Sequence, residues 1–152
     1  MLGVAREHFA DCVMRYQALQ QQGDVLLYDD VLPALSRLAR VSDCALLTFG
    51  HPRYQRDKFS GIGSIQPFFK RRHYVHHPHT KGEVIQRYSS RARTWFLDDS
   101  PEQLIDVHAR SPTTSLVRIM RPMDGLPSHI GDGSIWTVVT TFPAFVDLVE
   151  AE

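Results

Sequence analysis

The sequence predicts an α/β fold with a mainly parallel sheet, and two observations carry that expectation. Short apolar runs bounded by turn residues, such as Cys44-Ala45-Leu46-Leu47-Thr48-Phe49-Gly50, alternate along the chain with segments whose apolar residues recur every three or four positions. Strands covered by helices on both faces lose apolar–polar alternation and read as continuous apolar runs. Composition agrees, because 152 residues at 43% hydrophobic and 22% charged suffice for one domain with a core.

The elements follow in order. Leu2, Ala5, Phe9, Cys12, Tyr16 and Leu19 form one apolar face of a helix over 2–20, with Gly23 as its stop. Leu32, Leu35 and Leu38 mark a second helix over about 31–40, and residues 44–50 the first buried strand. A polar helix over 52–60, a short strand over 72–75 and a helix over 81–88 with Thr80 as its N-cap come next. Thr94-Trp95-Phe96-Leu97 predicts a strand ending at Asp98-Asp99, after which Ser100 caps a helix with Pro101 in its first turn. Strands at 116–120 and 135–139, separated by a Pro- and Gly-rich loop over 121–133, and a helix over 142–149 complete the chain.

Charge and cysteine content narrow the function classes. Lys+Arg and Asp+Glu are both 17, so no global field recruits nucleic acid or an anionic membrane. The basic run Lys70-Arg71-Arg72 reads as a solvated turn. Cys12 and Cys44 read as small buried hydrophobes, and no CxxC or disulfide framework appears, which fits a cytoplasmic protein. The start of the chain turns charged at once, unlike a signal peptide, and no apolar stretch approaches the roughly 20 residues of a membrane span.

Ligands of open α/β sheets bind at the carboxyl ends of strands, and three polar features fall there. Thr48 ends one strand, Lys81 begins a helix after another, and Asp98 and Asp99 end a third. A hydroxyl donates to phosphoryl oxygen, an ammonium offsets phosphoryl charge, and paired carboxylates hold a hard cation such as magnesium. Gln55 and Lys58 read as solvated. His73, His76, His77 and His79 crowd one stretch but match no closed zinc pattern, and read as a polar loop.

In these residues the chain resembles the haloacid-dehalogenase-like hydrolases. Leu46-Leu47-Thr48-Phe49-Gly50 looks like that family's motif II, Lys81-Gly82-Glu83-Val84-Ile85 like motif III, and Trp95-Phe96-Leu97-Asp98-Asp99-Ser100-Pro101-Glu102 like motif IV in its paired-aspartate form. The likeness covers most of residues 25–120. It implies a three-layer Rossmann-like core and a magnesium-dependent phosphatase acting on a small phosphorylated substrate. Thr48 and Lys81 would be the catalytic residues and Asp98 and Asp99 the metal ligands, while a dehalogenase or phosphonatase activity lies within the same family.

The family's first motif, a strand ending in Asp-x-Asp whose first aspartate is the nucleophile, is not found before the first helix. The expectation is therefore a single domain over 1–152 with an incomplete core over 25–152 and a helical cap remnant over 1–24, amino-terminally truncated and inactive alone. The first strand of such cores is central, so its loss leaves a slot that a partner chain could fill. Val25-Leu26-Leu27-Tyr28-Asp29-Asp30-Val31 is the one substitute for the missing strand, with Asp29 or Asp30 as nucleophile. The competing readings are a non-catalytic binding or interaction module of the same fold and an unrelated doubly wound domain.

Overall fold

Parallel pairing of β-rich segments, each covered by the helices between them, organises the chain. The computed structural model describes residues 3–77, 80–121 and 135–152. Helices α1 (Gly3–Gln21) and α2 (Val31–Leu38) flank a 3-10 turn at Gly23–Leu26. Strand β1 (Cys44–Phe49), helix α3 (Pro52–Ser60), a second 3-10 turn at Gly63–Phe68 and strand β2 (Phe69–Val75) follow. Then come α4 (Lys81–Ser89), β3 (Trp95–Asp98), α5 (Pro101–Arg110), β4 (Ser115–Ile119), β5 (Thr137–Val139) and α6 (Phe142–Glu150).

The strands form two parallel sheets, β1-β2 and β3-β4-β5. Alternation along β4 sends Val117 into a core with Ala34 and Leu38 of α2 and Phe145 and Val146 of α6. Its neighbour Leu116 enters a second core with Ile85 of α4 and Leu104 and Val107 of α5. Helices thus cover both faces of the strand layer. A third cluster joins Leu35, Phe59 and Ile65 below β1 and β2.

Strand β1 borders the first two cores as well, through Cys44 on one face and Leu47 on the other. Strand β3 does the same through Trp95 and Leu97 on one face and Phe96 on the other. Each strand uses one edge, for β2 and β4 respectively, and no ladder joins β1 to β3 among the described residues. Both apolar strands therefore turn an open edge toward the same space. No residue of β1 is fully buried, contrary to the expectation of a strand buried on both faces. Sealed from water, each unpaired amide there would cost about 1–3 kcal/mol, and partial exposure lets solvent take those bonds.

Other expectations also change. The face of α1 meets solvent rather than a core: Phe9 is 72% exposed and Cys12 is exposed, because among the described residues α3 alone packs substantially on this helix. Leu2 and the side chain of Ala5 lie outside the described residues. Lys70-Arg71-Arg72 is no turn but part of β2, where Arg71 lies over the Tyr88 ring and Arg72 over Phe59. A sheet's outer strand tolerates such long cationic side chains because they discourage further pairing. Leu32 is exposed, the inward face of α2 being Ala34, Leu35 and Leu38. Residues 25–30 form the end of a 3-10 turn and a loop leading into α2 rather than a strand, which removes the substitute for the nucleophile strand. The loop expected over 121–133 falls almost entirely outside the described residues.

The open edges make a testable difference between strands. In hydrogen-exchange measurements, the amides of β1 and β3 that point away from β2 and β4 should exchange much faster than those of β4, which is paired on both sides. Equal protection across β1, β3 and β4 would mean that the gap is closed in solution.

Candidate functional site

The first turn of α4 meets the end of β3 in a buried ion pair. The Lys81 ammonium donates to Asp98 Oδ2 at 2.6 Å, with only 8% and 10% of the two side chains exposed. The Phe96 ring lies beneath the ammonium at 5.8 Å. Asp98 Oδ1 accepts from the Ser100 backbone N–H at 2.9 Å, so both carboxylate oxygens have partners. Ser100 then accepts from Gln103 N and starts α5 with Pro101 in the first turn, as its sequence predicts.

What holds Lys81 in place was not legible as a motif. Thr80 occupies the cap position of α4 but makes no cap bond, because its hydroxyl donates to the His77 carbonyl instead. The cap comes from α5: buried Asp106 accepts the Gly82 N–H through Oδ2 at 2.9 Å and Arg110 Nε through Oδ1 at 3.1 Å. Gly82 permits this approach, since a Cβ there would lie 2.5 Å from Arg110 Cδ and 2.8 Å from the Asp106 carbonyl oxygen. The available signal was an acid beside the buried stripe Leu104–Val107, with an arginine four residues on.

Thr48 stands at the carboxyl end of β1 but shares no described contact with Lys81 or Asp98. Its hydroxyl donates to Gln55 Oε1 at 3.0 Å, and Gln55 Nε2 donates to the Phe49 carbonyl at 3.1 Å. Gln55 is therefore not merely solvated, as its polar helix suggested, whereas Lys58 is exposed. Gly50 makes room for this fold-back: its φ is +142°, and a Cβ would meet Gln55 Nε2 at 2.5 Å.

Asp99 is exposed, with its backbone carbonyl accepting from Arg118 Nε at 3.3 Å. No group of three or more His, Cys, Asp or Glu side chains suited to a metal ion occurs among the described residues. Magnesium takes carboxylate oxygens, and Asp98 already faces an ammonium, so the described residues alone do not fit that ion. The histidine stretch divides: His73 Nε2 meets the Tyr88 hydroxyl at 2.6 Å, His76 and His77 are exposed, and His79 lies outside the described residues.

Asp30 has a structural partner set. Its Oδ2 accepts from Arg121 Nη1 at 2.8 Å and from the Phe142 N–H at 3.0 Å, and the Arg121 contact holds its pKa below the ordinary carboxylate value. It fastens the start of α2 to the start of α6. Asp29 is exposed. A cleft of about 490 Å³ between α1 and α3, lined in part by Tyr16, His51, Tyr54 and Asp57, includes neither Lys81 nor Asp98. No family model matches the chain, nor does any curated protein or solved structure. No helix among the described residues is long and apolar enough to cross a membrane.

Two stability measurements follow. Lys81→Met leaves a buried carboxylate without its counter-charge and should destabilise the fold by about 3–5 kcal/mol in urea melts, whereas replacing both partners by apolar residues should recover much of that. A loss below about 1 kcal/mol would mean that water reaches the pair freely. His73 is held below its ordinary value near 6.5, first by burial and then by Arg87 and Arg71. The folded state thus binds this proton less readily than the unfolded chain. Its contribution is undiminished above 6.5 and stability falls as pH drops through that value toward the folded pKa. Urea midpoints should show this slope in the wild type, and His73→Gln should flatten it.

Proposed function

We infer that this chain is part of a phosphohydrolase core of the haloacid-dehalogenase-like kind, acting on a small phosphomonoester when its sheet is complete. The supporting observation is the buried Lys81–Asp98 pair, a positive charge held where a strand ends and a helix begins. An ammonium so placed offsets the negative charge of a phosphoryl group and of its transition state. Asp98 keeps it aimed, with Ser100 N–H fixing the carboxylate's orientation. Thr48, released from Gln55, donates its hydroxyl to a phosphoryl oxygen.

The nucleophile enters with a strand set between β1 and β3, whether in the same polypeptide or from a partner chain. Its aspartate attacks phosphorus and expels the alcohol, and water then cleaves the aspartyl phosphate. Magnesium belongs to this reading through the resemblance. Asp99 is the carboxylate this chain has free for it, and further oxygen ligands have to come with the added strand.

A second reading, a non-catalytic module of the same fold, is favoured by how fully the site satisfies itself. Thr48 and both oxygens of Asp98 have internal partners. The deciding assay compares hydrolysis of p-nitrophenyl phosphate, with and without magnesium, by this chain and by a version including any in-frame upstream strand that ends in Asp-x-Asp. The short chain should be inactive and the extended one active, and Lys81→Met in the latter should lower kcat by about 10²–10³. Inactivity of the extended version would leave the module. Activity of the short chain, abolished by Asp29→Asn or Asp30→Asn, would relocate the nucleophile.

A further inference from the structure

We propose that the outer edge of β2, with the adjoining surfaces of α3 and α4, binds single-stranded nucleic acid through its phosphates. The zero net charge conceals a division. Residues 50–93 hold 10 of the 17 Lys and Arg and only 2 of the 17 Asp and Glu, a net +8, and the remaining 7 cations and 15 acids give −8. Lys81 and Arg93 in that stretch are paired with carboxylates. Arg56, Lys70, Arg71, Arg72, Arg87 and Arg91 are exposed and have no carboxylate partner among the described residues.

The fold gathers these groups around one strand edge. Arg71 lies over the Tyr88 ring of α4 at 5.8 Å, and Arg87 is close enough to His73, two residues along β2 from Arg71, to act on its proton. On the other face Arg72 covers Phe59 at 4.7 Å, and Arg56 of α3 covers Tyr74 at 5.5 Å. The cations therefore run from α3, over the free edge of β2, to α4. Guarding an edge strand against pairing needs one or two cations on the strand itself. It does not account for a basic surface continued onto two helices, where Asp57 and Glu83 are the only acids beside the ten cations of residues 50–93.

The chemistry favours phosphates with bases between them. Five of the six named cations are arginines, whose forks match phosphate oxygens in pairs, and of these Arg72 also donates to the Phe69 and Gln66 carbonyls at 3.0 and 3.3 Å. The rings of Tyr74 and Tyr88 each carry a guanidinium over one face, and a base can stack there, without sequence preference, when that arginine turns to a phosphate. The second edge of β2, which has no strand partner among the described residues, adds backbone N–H donors. An anionic membrane would need an insertable apolar face, which this hydroxyl- and guanidinium-bearing surface does not supply. The proposal uses none of the groups assigned to phosphoryl chemistry and stands apart from that reading.

The test is fluorescence anisotropy of a labelled oligothymidylate of about 12 nucleotides, titrated with the whole chain at about 50 mM salt and above. Binding should weaken with added salt at a log–log slope of about −2 to −4, as three to six phosphate contacts require. Arg71→Glu with Arg72→Glu should reduce affinity at least about tenfold and make the slope shallower by about 1.4, two contacts' worth. Arg87→Glu with Arg91→Glu, on a different element, should act alike, and circular dichroism of both variants establishes that they fold. Arg40→Glu, outside the basic stretch, should change little. Absence of binding, binding indifferent to both reversals, or capture by phosphatidylserine-containing vesicles without capture of the oligonucleotide would overturn the proposal.

Discussion

Backbone hydrogen bonding sets the terms for the whole architecture. A parallel strand with apolar residues on both faces is stable in a layered fold only if both edges find partners or water. Strand β4 has two strand partners and is buried at Leu116 and Val117. Among the described residues, strands β1 and β3 have one each, and their side chains are held mostly half-buried between two helical layers. The interruption falls between the strand bearing Thr48 and the strand bearing Asp98. The same discontinuity therefore exposes the layer and separates the residues that phosphoryl chemistry would bring together.

Around that discontinuity the polar groups are arranged in self-contained sets. Lys81 and Asp98 neutralise each other, Thr48 answers Gln55, and Asp30 ties the start of α2 to α6 and to Arg121. The first two sets satisfy groups that burial would otherwise penalise, whereas Asp30 bonds only through Oδ2 and its buried Oδ1 has no hydrogen-bond partner among the described residues. The chain thus has a charged centre that is stable with nothing bound, and whose Lys81 could serve a phosphoryl group if the pair were re-partnered.

Much of the fold was legible because local signals and packing agree. The strands at Cys44–Phe49 and Trp95–Asp98 and the Ser100–Pro101 helix start are set by apolar runs and capping chemistry. Lys81 and Asp98 were legible as strand-end and helix-start charges, and they do meet. What failed depended on distant partners. Thr80 looks like a cap, yet the cap is Asp106, 26 positions on. Gln55 sits in a polar helix but turns back to β1, which only Gly50's unusual backbone permits. The stripe on α1 reads as a core face, and sequence periodicity does not reveal whether anything covers it.

The borrowed cap of α4 has a consequence for how the site is made and adjusted. A helix without its own N-terminal cap has a start that local sequence leaves undecided, and here α5 decides it through Asp106 and the close packing at Gly82. The ammonium of Lys81 acquires its position only once the two helices have docked. The interhelical contact thus links Arg110, which braces Asp106 from the solvent side, to the helix start that carries Lys81. Variation in this chain would then reach the centre from behind, along α5.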